Sequence, residues 1–464
     1  MSNAKEWSEK LFYKKKTVYE SASKQALDAA HDYARGYAAF LDAAKTEREA
    51  VKEGIRLATA AGFVPYTLGE RVQRGGKYYY NNRGKSLILF TVGSEPIECG
   101  IRIAAAHIDA PRIDLKQCPL YEESGMSFFK THYYGGIRKY QWVATPLALH
   151  GVVAMADGSV IDVSVGEDER DPVFYINDLL PHLGQEQSKK PLGEAIPGEK
   201  LNVLVGSRPF DGADETDAIK LNTLALLHEK YGITEADFLS AELCVVPAFK
   251  ARDIGFDRSL IGAYGHDDRV CAYPALSAIL ECADSKHTLM CILADKEETG
   301  SDGNTGMKSD IFMDLINEIA QSLGGNPAVV RANSKCLSAD VSAAYDPNFP
   351  DVFEKRNTPL LSCGVVLTKF TGSRGKSGTN DASAEYIGWL RGAMEKEGVV
   401  WQAGELGRVD CGGGGTVAKY IAAHNIETVD LGVPVISMHA PFEVIAKVDL
   451  YEAYRAFVAF CTAE

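Results

Sequence analysis

The sequence has no C-x-x-C pair, no basic stripe and no apolar run long enough to cross a bilayer, and each absence removes a class of protein. Ten cysteines are scattered from Cys99 to Cys461. They sit mostly in apolar segments such as LCVV, MCIL and LSCG, as buried thiols of a reducing compartment do, rather than as a disulfide framework. The 49 Lys and Arg are outnumbered by 63 Asp and Glu, a net charge of −14. Without a basic stripe, neither nucleic acid nor an anionic membrane surface is expected as a partner. The longest apolar runs, SLILF at 86–90 and PLLSCGVVL at 359–367, fall short of the roughly 20 residues a transmembrane helix needs. The opening MSNAKEWSEKLFYKKK holds charges but no apolar h-region, so no secretory signal is read there. A soluble, acidic, cytoplasmic protein is expected.

What is present is enough apolar material for a large core: 464 residues, 46% hydrophobic, room for two or three domains. Residues 18 to 62 are Ala-rich with apolar positions recurring at three and four, and read as helix. KYYYNN and SLILFTV, separated by the turn-like NNRGK, read as a hairpin. The next strand, in IRIAAAHIDAPRIDLK, leaves the core at His107. From 112 to about 250 short β-like runs alternate with Gly/Pro-rich loops, as in GVVAMADGSVIDVSV with a DG turn at its centre. This stretch reads as an inserted, mostly β domain. After 255 strands alternate with helices again: VCAYPALSAILECADS (helix), TLMCILA (strand), IFMDLINEIAQSLG (helix), KCLSADV, VVLTKF, ASAEYIGWLRGAMEKEG (helix) and the strand TVDLGVPVISM. That order implies an α/β core with a mainly parallel sheet, divided as 1–111 and 253–464 around an insert at 112–252.

In such sheets function gathers past the carboxyl ends of strands. The polar residues at those places are His107 and Asp109, Asp267 and Asp268, Glu297 and Glu298, Asp340, and His439. Each has an ordinary explanation alone: an N-cap for an aspartate of GHDDRV, a satisfied buried imidazole for His439, a solvated turn for Glu297-Glu298. Together, imidazoles and carboxylates suit a borderline divalent ion such as zinc, cobalt or manganese. Residues two apart in a strand share a side, so Asp109 is placed to orient His107. Adjacent Glu297 and Glu298 must point at different things, which suits one carboxylate holding metal and its neighbour moving a proton. Spacing alone leaves the choice between Asp267 and Asp268 open.

The ordered set AAHIDAPR, GHDDRV, KEETGS, SADVSAAYDP, CGGGGT and ISMHAP resembles the M18 family of metallo-aminopeptidases, of which aspartyl aminopeptidase is one, and the likeness covers most of the chain. The resemblance implies a phosphorylase/hydrolase-like α/β catalytic core interrupted by a β-rich dimerisation domain, two divalent ions per subunit, and subunits assembled as tetrahedral dodecamers. It implies that Asp267 bridges the two metals, that His107 and Asp340 complete one and Glu298 and His439 the other, that Glu297 is the general base, and that Asp109 orients His107. It also implies a role near the substrate for Lys369 and, reaching a neighbouring subunit's site, for His182.

The sequence departs from the acid-specific members after the third ligand. Where they carry D-M-x-H-A-V-H-P-N, this chain reads Asp340-Val-Ser-Ala343-Ala-Tyr-Asp346-Pro-Asn, which removes both histidines and weakens the case for acidic first residues; Lys369 would still attract a substrate carboxylate. The run CGGGGT (411–416) lacks the Lys-Ser/Thr of a phosphate loop and reads as a tight turn beside substrate. A dinuclear aminopeptidase acting on peptides with a free N-terminus is the expectation. The alternatives are a two-metal amidase or deacylase acting on N-acyl substrates, and a catalytically weak self-assembling scaffold.

Overall fold

The computed structural model describes residues 3–212 and 216–464. Its centre is a nine-stranded mixed sheet in the order Val64–Pro65, Lys77–Asn82, Ser86–Thr91, Thr288–Ala294, Ile101–His107, Lys335–Ser338, Glu427–Gly432, Val365–Thr368, Trp401–Ala403. The strands Thr288–Ala294, Ile101–His107, Lys335–Ser338 and Glu427–Gly432 run parallel to one another. The first, TLMCILA, and the IAAA of the second read as apolar runs because both faces of the sheet are covered there. Leu87, Leu89, Cys291 and Leu293 turn to one core, with Tyr37, Leu276 and Phe457 of flanking helices. Their neighbours Ile88, Phe90, Met290 and Ile292 turn to the other, with Phe312, Ile316 and Val330. The hairpin expected around NNRGK is present, Lys77–Asn82 pairing antiparallel with Ser86–Thr91.

The helix expected over 18 to 62 is three: Val18–Ser21, Lys24–Ala43 and Glu47–Ala60. Ser23 and Thr46 break it by capping, each accepting from the backbone N–H three residues on, and Glu49 returns the bond to the Thr46 N–H. The second break also delivers Lys45, buried, to the carbonyls of Pro247 (3.1 Å) and Phe249.

A seven-stranded antiparallel sheet fills the stretch expected as an insert, in the order Val160–Val165, Leu147–Ala154, Ala241–Pro247, Arg112–Glu123, Met126–Tyr134, Val203–Gly206, Tyr175–Ile176. The chain enters on Arg112–Glu123 and leaves on Ala241–Pro247, which pair with each other. Trp142 and Phe129, from the aromatic run FFKTHYYGGIRKYQW, are buried in its core, while Tyr133 and Tyr140 of the same run are exposed.

The single strand expected for TVDLGVPVISM is two. Glu427–Gly432 belongs to the central sheet, whereas Pro434–Ile436 joins a five-stranded sheet, Arg252–Ile254, Leu260–Ala263, Glu443–Ala446, Pro434–Ile436, Ser342–Ala343, that the sequence pattern did not reveal. The switch happens at Gly432, where a Cβ would lie 1.6 Å from the Asp340 carbonyl oxygen. Only glycine lets the two backbones cross there. Among the described residues no helix is long and apolar enough to cross a membrane.

Candidate metal centre

The expected polar residues meet where the carboxyl edge of the central sheet faces the five-stranded sheet. His107 closes its strand, and the chain after Thr288–Ala294 turns through a single 3-10 turn, Glu297–Thr299. Asp340 follows Lys335–Ser338. From the other side come Asp267, after Leu260–Ala263, and His439, after Pro434–Ile436. Helix His266–Glu281 is not helical at Asp267 and Asp268, and neither carboxylate caps it. Both are buried in the site instead.

Asp267 spans two imidazoles: Oδ1 is 3.2 Å from His107 Nε2 and Oδ2 is 3.0 Å from His439 Nε2. Asp340 Oδ1 is 3.8 Å from His107 Nε2, and Glu298 Oε1 is 3.6 Å from His439 Nε2. Donor atoms of His107, Asp268 and Asp340 converge within 4.8 Å of one another, as do those of His107, Asp267 and Glu298. His107 Nε2, Asp267 Oδ1, both oxygens of Asp268 and Glu298 Oε1 are buried and make no hydrogen bond. Orphaned polar atoms are costly, and imidazole and carboxylate donors converging in this way fit divalent cations.

The charges tell the same story. Burial alone would raise the Asp267 carboxyl, but His107 and His439 outweigh it and hold it below the usual carboxylate range. Burial pushes Asp268, Asp340 and Glu298 well up, and raises Glu297 as well. For His439 burial works downward, yet Asp267 and Glu298 push it up to about 10. The raised carboxyls mark a crowd of like charges, which a bound cation would relieve.

A second set of residues holds the donors in place. His107 Nδ1 donates to the Asp109 carbonyl at 3.0 Å, which leaves Nε2 facing the site. The Asp109 carboxylate accepts from the Glu297 N–H (3.1 Å), the Glu298 N–H (3.2 Å) and the Tyr134 hydroxyl (2.8 Å). Two residues went unnoticed in the sequence. Glu443 accepts from the Asp267 N–H at 3.1 Å and the His439 N–H at 2.7 Å. Gly136 offers its carbonyl to His439 Nδ1 at 2.9 Å. A glutamate inside the apolar run FEVIA was the available signal for Glu443; nothing in the pattern marked Gly136.

A cavity of about 270 Å³ opens on the centre, lined by Asp267, Glu297, Asp340 and His439 together with Thr368, Leu406, Gly413–Thr416 and Asp430. Glu297 faces it while Glu298 turns to His439, so the adjacent glutamates do diverge. The glycine run borders the cavity and precedes the helix Ala418–Ala422. Lys369 does not line it: half-exposed, its ammonium pairs with Asp381, which also takes Lys376 at 2.9 Å. His182 is exposed in a 3-10 turn, Pro181–Leu183, of the insert and does not join this chain's centre.

The sequence profile described as "Aminopeptidase I zinc metalloprotease (M18)" matches residues 40–461. The chain belongs to the M18 family. Its similarity to the probable M18 family aminopeptidase 1 of Clostridium acetobutylicum is 50% identity over 430 residues, 91% of this chain and 92% of that one. The crystal structure of an M18 aminopeptidase from Thermotoga maritima superposes with a TM-score of 0.93 at 42% identity, covering 98% of this chain and all (100%) of that one. The fold extends to the S. cerevisiae mApe1 dodecamer, at 21% identity and a TM-score of 0.76, covering 92% of this chain and 96% of that one. As an M18 aminopeptidase the chain is a hydrolase of the zinc metalloprotease kind.

Proposed function

We propose that this M18 aminopeptidase holds two divalent ions per subunit, zinc first among them, and removes the first residue of peptides with a free amino terminus. The observation that carries the reading is Asp267, with one oxygen beside each of two imidazoles. In this assignment Asp267 would be shared by the two ions, His107 and Asp340 would help hold one, and Glu298 and His439 the other. When bound, such a pair supplies Lewis-acid polarisation of the scissile carbonyl and acidification of water.

The chain's own residues do the rest. Glu297 borders the cavity without touching either imidazole, and burial raises its pKa, so it suits the task of taking a proton from the attacking water and returning it to the leaving amine. Asp109 and Gly136 fix the two imidazoles with Nε2 inward, and Glu443 ties together the backbones that carry Asp267 and His439. Ser342 and Ala343 form the wall where the acid-specific members carry a histidine, and Lys369 is engaged by Asp381. Both argue against a preference for acidic first residues.

The division at 112 and 252, with the β-rich insert as the dimerisation domain of a tetrahedral dodecamer, belongs to the same proposal. Exposed Val173, Leu179, Leu180 and Leu183 on that insert support it, as does the dodecameric relative. His182, beside Leu183, would then approach a neighbouring subunit's centre.

The test is hydrolysis of free and N-acetylated aminoacyl substrates by metal-stripped protein after zinc, cobalt or manganese is added back, beside Glu297→Gln. Metal-restored cleavage of the free-amine set, lost in the variant, is expected. Cleavage of the acetylated set alone would replace this reading with a deacylase.

A further inference from the structure

The cavity is also lined by a buried carboxylate with no cationic partner, Asp430. Asp430 stands in register with Ser338 on one neighbouring strand and with Thr368 on the other, so the three side chains form a row across one face of the central sheet. Thr416, closing the glycine run, stands over the same patch. Asp430 is 4% exposed. The Ser338 and Thr416 hydroxyls beside it are its polar neighbours, and among the described residues no lysine, arginine or histidine pairs with it. Burial raises the Asp430 carboxyl to about 7, against a smaller lowering by the hydroxyls of Thr416 and Ser338 beside it.

A buried carboxylate is ordinarily paired, because leaving it bare forfeits its hydration for nothing. No lysine or arginine is among the described residues lining this cavity. The candidate metal donors Asp267, Asp340 and His439 line the same cavity. Ser338, opposite Asp430, is two residues before Asp340, roughly 7 Å along the strand. That is a span the side chain of a bound first residue can cover. The wall between is apolar, with Val341, Leu406 and Met438. An aliphatic stem would lie along it, and an ammonium at its tip would meet one carboxylate and two hydroxyl oxygens with its three donors.

We infer that Asp430 is a specificity-determining residue, and that the enzyme favours peptides whose first residue carries a cationic side chain, lysine above all. This rests on the aminopeptidase reading above. An acidic first residue would bring a second carboxylate to the patch, and a purely apolar one would leave Asp430 buried and unpaired.

The experiment compares kcat/KM for lysyl and norleucyl anilides, nearly isosteric substrates differing in the ammonium, using the zinc-restored full-length enzyme and Asp430→Asn. The wild type is expected to favour the lysyl substrate by roughly tenfold or more, and the variant to lose about that factor from the ratio. A wild type that favours the norleucyl substrate overturns the inference whether or not the variant folds. A lysyl preference unchanged in Asp430→Asn overturns it too. If that variant does not fold, Thr416→Val takes its place, with the ratio expected to fall about threefold; an unchanged ratio there overturns the assignment. Metal-loaded wild type that cleaves neither substrate, nor any other free-amine anilide, removes the aminopeptidase reading itself.

Discussion

Gly136 and His439 are 303 positions apart, yet the Gly136 carbonyl accepts the His439 Nδ1 hydrogen bond at 2.9 Å. The inserted β-sheet region thus sets the orientation of an imidazole in the centre it borders. A Cβ at Gly136 would come within 3.3 Å of that same nitrogen. Gly136→Ala is therefore expected to tilt the ring and weaken metal retention by roughly tenfold. Competition against a chelator, read as metal per subunit, measures it; retention equal to wild type would remove Gly136 from the account.

In the proposed mechanism the neighbours Glu297 and Glu298 have different tasks. Glu297→Gln is expected to keep its metal and lose about 10²–10⁴ in kcat. Glu298→Gln is expected to lose metal as well, since Glu298 Oε1 is one of the unpartnered donors at His439. Elemental analysis beside kinetics separates the two. Equal metal loss in both variants would contradict the division of labour.

Stability should depend on pH through His150, which lines no part of the candidate centre's cavity. His150 lies between Glu49 (2.8 Å) and Glu167 (3.1 Å), joining helix Glu47–Ala60 to the second sheet, with Lys250 at 3.0 Å and Lys45 at 3.8 Å from Glu167. Burial works against the charged imidazole, but the two glutamates raise its pKa from 6.5 to about 9. A raised pKa means that the folded state holds the proton more tightly. The stabilisation is complete below about pH 6.5 and is lost as pH rises through about 9. Urea unfolding of metal-free protein should show a decline that exceeds that of His150→Gln by on the order of 3 kcal/mol across that window. Parallel profiles for the two proteins would contradict it.

Assembly is testable by light scattering. One subunit is 50.4 kDa, and a mass about twelve times that is expected. Replacing Leu179, Leu180 and Leu183 by serine is expected to break the assembly into smaller species. A fully active monomer would end the dodecamer proposal and the role given to His182.

Much of the centre was legible because buried parallel strands announce themselves: an unbroken apolar run that stops at a polar residue, as at His107, Ala294 to Glu298, and Ser338 to Asp340, puts that residue at the sheet's carboxyl edge. The break at Thr46 was in the sequence as a capping box and was overlooked among alanines. The strand TVDLGVPVISM looked like one because apolar character does not say which sheet a residue joins. The crossing at Gly432 could only be seen with Asp340 beside it.

By itself, the sequence determined the residue types of the centre, their places at strand ends and the family to which the chain belongs, since local periodicity and ordered motifs are properties of the chain alone. Tertiary structure decided the rest. It chose Asp267 as the carboxylate lying between the imidazoles, gave Glu443 and Gly136 their positioning contacts, and left Asp430 buried without a cationic partner. Each of these depends on which atom stands opposite at about 3 Å, and the facing residues are supplied by elements hundreds of positions away in a different sheet.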